Sequence, residues 1–586
     1  MRITNKMMTN SSLTNINKNK LYLDKLNEQL SSKKKISRPS DDPIVAIRAL
    51  RLRSNLTEIT QYYEKNVSDA ASWITSTQTA ITSTTKVLTS MQAQLTQGSN
   101  GDNTIASRNA IIEELKNLSD QIRDDGNAQC DGRTLFTGYR TGTDLMFTSD
   151  STVSYQDITE KFNASSISKY THVANVLDKS TDISGYSTSG ATEQQISANE
   201  VSRIRLAYDD LDLPQLNRKL EADGTYSYTQ ATDLSLIYRT SFNATASNNG
   251  TQITIASGNL ADTVTLVKNS SGVLTLDAST PAGYTLTQND DDTYTLEDAS
   301  DNVVNLTASG KVSNAYKEEK MTVNITSISG NQSVIDAAYS PAANAINFIP
   351  ETGELIIGST RAATLGALKD INGVSTIEIA YDKSDWEQND LRPEHYFNCY
   401  DRTNNITYKS ANQEICYDVS SNQSMRINTS ASEVFTHDIA RDIDEIIAAM
   451  EGANAAQEKV DALTKLKSDS TADQTKVTTL LAAANKELTL TKDKLQKMFE
   501  SGITSFQGYI KNATLANTNS GTRTTRLDLV KNRLSELKTT AKELADTNEN
   551  VTISDIAIEV SSAELIYNAA LMATGKIAQQ SLLDYL

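Results

Sequence analysis

The stretch TRTTRLDLVKNRLSELKTTAKELADTNENVTISDIAIEVSSAELIYNAALMATGKIAQQSLLDYL, from Thr522 to Leu586, reads as helix almost throughout and keeps its apolar side chains to the end. Leu527, Val530, Leu534, Leu537, Ala541 and Leu544 follow alternating steps of three and four, the period that lines one face of a helix. Val551, Ile558, Leu565 and Met572 then recur every seventh residue, as in a coiled-coil seam. Ordinary termini are polar and fray. This stretch finishes Ser581-Leu582-Leu583-Asp584-Tyr585-Leu586, and each large apolar side chain that is buried contributes about 1.5–3 kcal/mol. The reading is an assembly surface whose seam requires a partner helix, with Asn548-Glu549-Asn550 as the hinge between its two runs.

The opposite end of the chain offers that partner. Ile16, Leu23, Leu26 and Leu30 sit at steps of seven, three and four, a weak amphipathic helix that stops at the polar, basic loop Ser31 to Lys35. Asp42 before Pro43 marks a helix start, because a carboxylate can accept an orphan backbone N–H and Pro at the first helical position loses no hydrogen bond. Val67, Ile74, Ile81, Leu88 and Leu95 then recur every seventh residue on a helix expected to reach about Gln97, and a third helix, about 102 to 128, returns antiparallel after the turn at Gly98 to Gly101. Helix resumes at about Glu433, with a hairpin tip at Ser468-Asp469-Ser470 and a linking segment at Gly502 to Gly508.

The middle has a different period. Ile253/Ile255, Val264/Leu266, Leu274/Leu276, Tyr294/Leu296, Val304/Leu306 and Val323/Ile325 alternate with polar residues, with turns near every tenth residue, the signature of antiparallel sheet. The expected class is therefore α+β: a discontinuous long-helix coiled-coil or bundle domain built from both termini, with a large inserted antiparallel β region. The expected divisions are 1–36, an N-terminal assembly helix; 37–147, the N-terminal half of the helical domain; 148–430, one or two β-rich outer domains; 431–553, the C-terminal helical half with a helical extension; and 554–586, a C-terminal assembly helix. Leu527, Val530, Leu534, Leu537 and Leu544 are expected to pack on Val67, Ile74, Ile81, Leu88 and Leu95 inside one subunit. Val551, Ile558, Leu565, Met572, Leu582, Leu583 and Leu586 are expected to pair with Ile16, Leu23, Leu26 and Leu30 in an assembled core. Two separate helical bundles are the rival arrangement.

Composition narrows the functions. A formal charge of −18 argues against general binding to nucleic acid or to an anionic membrane, both of which reward a basic surface. The basic cluster Lys33, Lys34, Lys35, Arg38, Arg48, Arg51 and Arg53 lacks interleaved aromatics, so it reads as a solvated loop with inter-subunit ion pairing, Asp41 and Asp42 being the nearby acids. Three cysteines and three histidines stand apart without metal-ligand spacing, and Asp290-Asp291-Asp292 lacks the Gly and distant Glu of an EF-hand loop, so it reads as a solvated turn. No Gly-x-Ser-x-Gly or His-Glu-x-x-His motif is present, so neither catalysis nor a cofactor is expected. No apolar run has the length of a secretory signal or a transmembrane helix, so membrane insertion is not expected. Trp73 reads as a wedge between helices, and Tyr22, Tyr62, Tyr63 and Tyr567 as packing residues.

Four segments resemble the flagellin superfamily. They are Met1 to Asn5, ISRPSDDPIVAIRALRLRSNL from Ile36 to Leu56, DGRTLFTGY from Asp131 to Tyr139 and GTRTTRLDLV from Gly521 to Val530. The loop Arg38-Pro39-Ser40-Asp41-Asp42-Pro43 and the ending SLLDYL are similar to the hook-filament junction, or hook-associated, branch more than to flagellin, which usually has an Asn-Ser-Ala type loop there. The resemblance implies a structural, non-enzymatic protein of the bacterial flagellum that joins hook to filament by helical self-assembly. It implies terminal segments that fold on assembly, an extracellular location, and export unfolded through the flagellar secretion apparatus with a cytoplasmic chaperone on the C-terminal helix. Its partners would be other copies of itself, an adjoining hook-associated protein and flagellin. Flagellin itself, and an adhesin or carbohydrate-binding insertion on a flagellar base, are the alternatives. The central 280 or so residues and the segment 453–500 carry no such resemblance.

Overall fold

A computed structural model describes residues 5–101, 103–177, 193, 195–212, 216–220, 226–230, 234–249, 252–269, 272–289, 291–330, 332–410, 413–468 and 473–583, with side chains at these positions except 5, 216–220, 226–230 and 577–583. Helices lie at both ends with a β region between them, the α+β class expected. In chain order the helices are α1 Asn5–Ser32, α2 Pro43–Gln61, α3 Val67–Gly98, α4 Ile105–Gly126, α5 Gln332–Ala338, α6 Ser359–Gly366, α7 His437–Lys467, α8 Gln474–Glu549 and α9 Ile553–Leu583. The chain divides into two compact units. One comprises Met1–Thr75, Ile415–Ile427 and Ser520–Leu586, and the other Ser76–Glu414 and Asn428–Asn519.

The first unit is helical. Asp42 caps α2 as its position requires: its Oδ1 accepts the backbone N–H groups of Ile44 at 3.0 Å and Val45 at 3.1 Å. Between α2 and α3 the helix does not stop but widens into a π-helical turn over Tyr62–Asn66. The hairpin Cys416–Ser420/Gln423–Arg426 sits at this turn, where the Asn66 amide donates to the Asp418 carbonyl at 2.8 Å. The Lys538 ammonium on α8 reaches Glu64 at 2.6 Å and lies over the Tyr63 ring. Trp73 is buried in this unit, whereas Tyr22 is exposed and is not the packing residue expected of it.

The second unit holds most of the β structure. Its largest sheet has nine strands in the order Tyr284–Gln288, Tyr294–Asp298, Asn302–Leu306, Val312–Thr322, Ser235–Ser241, Ile377–Trp386, Ser151–Phe162, Asn398–Asp401 and Ile406–Tyr408. A four-stranded sheet of Ala244–Asn248, Gln252–Ser257, Val264–Lys268 and Leu274–Leu276 faces the first few of these strands. Alternation explains the sandwich: Ile253, Ile255, Val264, Leu266 and Leu274 interleave with Tyr294, Leu296, Val304 and Leu306, and the intervening residues face outward. A third sheet of five strands contains the unit's parallel pairing among the described residues, Asn324–Ile325 on Asn347–Phe348. Asp291 accepts the Thr293 backbone N–H at 3.1 Å and its hydroxyl at 2.6 Å, a side-chain-closed turn; Asp290 lies outside the described residues.

The expected linking segment at Gly502 to Gly508 does not exist, because α8 passes through both glycines unbroken. Gly502 is there for close approach: a Cβ would stand 2.7 Å from Ile446 Cδ1 and 3.3 Å from Leu95 Cδ1. A glycine can therefore sit inside a helix without ending it when neighbouring helices press on that point. All three cysteines are free.

Candidate assembly surface

α1 and α9 pack against each other along their length. On α9 the inward residues are Ile556, Val560 and Ala563; Leu26 on α1 completes the buried cluster, flanked by Leu23, Leu30 and Val551. Ile16 is also buried. The steps of three and four on both helices are those of knobs meeting holes.

The expected seam of α9 is therefore not the one that faces α1. Ile558 is 67 % exposed, Leu565 71 % and Met572 69 %, while Leu26 is 2 % exposed. These three side chains lie on the outer face of α9, opposite Ile556, Val560 and Ala563, and Ile553, Ile566 and Leu571 on its flanks are exposed as well. A helix apolar on two lines has two candidate seams, and the seven-residue repeat picked out the one left uncovered. Leu582, Leu583 and Leu586 lie outside the residues whose side chains are described.

The run on α8 divides in the same way. Leu527, Val530, Leu534 and Ala541 are buried, but Leu537 is 44 % exposed and Leu544 54 % exposed, so these two are not core residues as expected. Val67, Ile74, Ile81, Leu88 and Leu95 are buried along α3. We expect Leu537→Ser or Leu544→Ser to change stability by less than about 0.5 kcal/mol in denaturant titrations, against about 2 kcal/mol for Leu534→Ala.

The joint between α8 and α9 is a latch rather than the expected hinge. Glu549, the last residue of α8, receives the Arg53 guanidinium through both oxygens, with Nε at 2.6 Å from Oε1, and the Lys34 ammonium at 3.1 Å from Oε2. The backbone pairs at the same point: Lys35 N–H donates to the Glu549 carbonyl at 2.8 Å, and Val551 N–H to the Lys33 carbonyl at 3.2 Å. The Asn548 amide donates to the Val45 carbonyl at 3.2 Å. Hydrogen bonding from Arg53 and then Lys34 holds the Glu549 carboxyl below its usual range. Two members of the basic cluster thus pair within the chain, and with Glu549 rather than Asp41 or Asp42. Asp41 instead folds back on the backbone N–H groups of Ser37 at 3.1 Å and Arg38 at 2.8 Å. A group held low stabilises the fold above its unfolded pKa, and that contribution is lost as pH falls through the folded value. Glu549→Gln should cost about 1 kcal/mol, since water screens the exposed Arg53. Exchange of the Lys35 and Val551 amides would then quicken by about fivefold at neutral pH.

The apolar character of α9 also corrects the expectation about membrane-length segments. Ile553–Lys576 is long and apolar enough to cross a membrane by length and composition. The paired face against α1 gives that apolarity a second use. Among the described residues, no group of three or more His, Cys, Asp or Glu is placed to hold a metal.

Residues 3–141 match the family model of the bacterial flagellin N-terminal helical region. The likeness to the flagellin superfamily lies in that N-terminal region. The chain is 28 % identical over 142 residues to flagellar hook-associated protein 3 of Salmonella typhimurium, covering 24 % of this chain and 44 % of that protein. It is 32 % identical over 122 residues to flagellin of Clostridium tyrobutyricum, covering 21 % of this chain and 32 % of that one. The chain thus spans less than half the length of these relatives. The crystal structure of Xanthomonas campestris FlgL overlaps 85 % of this chain and 99 % of its own at 13 % identity, with a TM-score of 0.25.

Proposed function

We propose that this chain is a structural subunit of the bacterial flagellum, a hook-associated protein joining hook to filament at their junction by self-assembly. The observation that carries the reading is the outer apolar line of α9, Ile558, Leu565 and Met572, left uncovered beside a folded α1–α9 pair. Apolar side chains held this regularly in water await another surface. The N-terminal match to the flagellin helical region and the likeness to hook-associated protein 3 support the choice of assembly. The role is mechanical and involves no reaction. The surface would meet other copies of the chain first, then an adjoining hook-associated protein on one side and flagellin on the other. An export chaperone covering α9 in the cytoplasm, and passage through the flagellar secretion apparatus, complete the proposal.

Removing residues 554–586 tests it. The truncated chain should keep its β region folded and vanish from the junction, as seen by immunogold electron microscopy. A truncated chain that still sits at the junction sinks the reading. The likeness to Clostridium tyrobutyricum flagellin favours a second reading, the filament subunit itself. Purified protein that grows into long filaments without other components would establish that instead.

A further inference from the structure

The second unit contains a cleft of about 680 Å3. Its walls are the end of the strand Ser151–Phe162, the paired strands Ser168–Ala174 and Ser197–Arg205, the first turns of α7, and one face of α8 from Lys494 to Ser505. That size falls among small-molecule sites, roughly 300–1,000 Å3. The two arginines in it are committed, Arg203 to Glu354 and Glu445, and Arg205 to Asp438, Asp442 and Glu445. Lys169 and Glu200 pair with each other at 3.8 Å. The remaining lysines are uncommitted. Lys494 donates to the Tyr170 hydroxyl at 2.6 Å and lies 4.4 Å from the centre of that ring, and among the described residues neither it nor the exposed Lys161 and Lys497 has an acid partner. In a chain of formal charge −18, three lysines without acids along one cleft make a local positive field. Glu160 lines the same cleft and is 2 % exposed. Its Oε1 accepts the Ala207 N–H and the Tyr381 hydroxyl, each at 2.7 Å, while its Oε2 has no hydrogen-bond partner.

We infer that this cleft binds an acidic sugar, a carboxylate-bearing pyranose or a short chain of them, with the carboxylate on the lysines and a hydroxyl on Glu160. The lysines call for an anion, and carboxylate or phosphate would serve them alike. Glu160 narrows the choice. Burial pushes its carboxyl up, so a second anion set against it would be repelled, whereas a ligand hydroxyl can hydrogen-bond Oε2 without adding charge. Phe162 and Phe397, both half-buried in the walls, offer flat apolar faces for the C–H side of a pyranose ring. The lysines repel a divalent cation, and an acyl chain would desolvate the lining hydroxyls of Ser166, Thr171 and Ser501 without replacing their hydrogen bonds. The inference is independent of the assembly reading, because every lining residue belongs to the second unit and none to α1 or α9.

Isothermal titration calorimetry on the purified full chain tests this, with trigalacturonate and N-acetylneuraminic acid as probes. At least one should bind with a Kd of about 1 mM or tighter. Maltotriose, inorganic phosphate and a triglutamate peptide should each bind at least about tenfold more weakly than that sugar acid. Added salt should weaken the binding, because it screens the attraction between lysine and carboxylate. Lys161→Glu with Lys497→Glu alters two exposed side chains, so thermal unfolding should be unmoved while affinity falls at least about tenfold. The milder pair, Lys161→Ala with Lys497→Ala, should lose at least about threefold. Failure of both sugar acids to bind overturns the inference, as does affinity that is unchanged in both double variants. Phosphate or triglutamate binding as tightly as the sugar acid would show that the cleft selects charge alone, and overturns the assignment to a sugar.

Discussion

Leu565→Asp combined with Met572→Asp should leave the chain folded and abolish its incorporation into flagella, while Leu26→Asp should unfold the α1–α9 pair itself. The contrast follows from which side of α9 each residue serves. Leu565 and Met572 face solvent in the single chain, so a carboxylate there keeps its hydration, and the cost to folding is below about 0.5 kcal/mol each. In an assembly that covers the line, the same carboxylates would be desolvated without partners, at several kcal/mol each. Leu26 is already buried against Ile556, Val560 and Ala563, and a charge there costs at least about 3 kcal/mol within the monomer. Circular dichroism of the purified variants and immunogold counting on cells separate the two effects. A double variant that assembles normally would show that the outer line of α9 is not an assembly surface.

What the sequence could show follows the same physics. The helical ends and the strands of the middle were legible because their apolar periods, near 3.6 and 2, are written locally. The partner of a given line was not. α9 carries both 556-560-563 and 558-565-572, and only the position of α1 decides which is covered. Leu537 and Leu544 continue the step of Leu527, Val530 and Leu534, yet the single chain covers only the latter three. Glu549 was hidden for a different reason. A lone acid between two asparagines looks like a solvated hinge until Lys34 and Arg53, roughly five hundred positions away in sequence, are brought to it. The glycines of α8 misled because glycine is weighed as a helix breaker, and its use in admitting Ile446 and Leu95 is visible only in three dimensions.

A second large effect is expected from Asp390→Asn, read as the pH dependence of stability. Asp390 follows the strand Ile377–Trp386 and lies in the second unit among Lys383, whose ammonium is 3.9 Å away, and the acids Asp209 and Glu387. Burial pushes its carboxyl from 3.8 up to about 6, against the pull of Lys383 and the Glu387 backbone N–H that it accepts at 3.1 Å. A carboxyl raised in this way stabilises the fold while protonated. That contribution is fully present below pH 3.8 and is lost as the pH rises through 6, about 3 kcal/mol in all. Glu445 acts in a separate window. Burial would raise it too, but the guanidiniums of Arg203 and Arg205 outweigh burial and hold it at about 2, so its contribution is lost only under stronger acid. Asn at 390 can still accept from the Glu387 N–H and has no charge to desolvate. Denaturant titrations at intervals from pH 4 to 8 should therefore show wild-type protein losing more stability between pH 4 and 6 than Asp390→Asn, both proteins keeping the further loss from Asp444, whose carboxyl burial pushes up to about 7. Parallel slopes for the two proteins would mean that Asp390 is not the group that titrates.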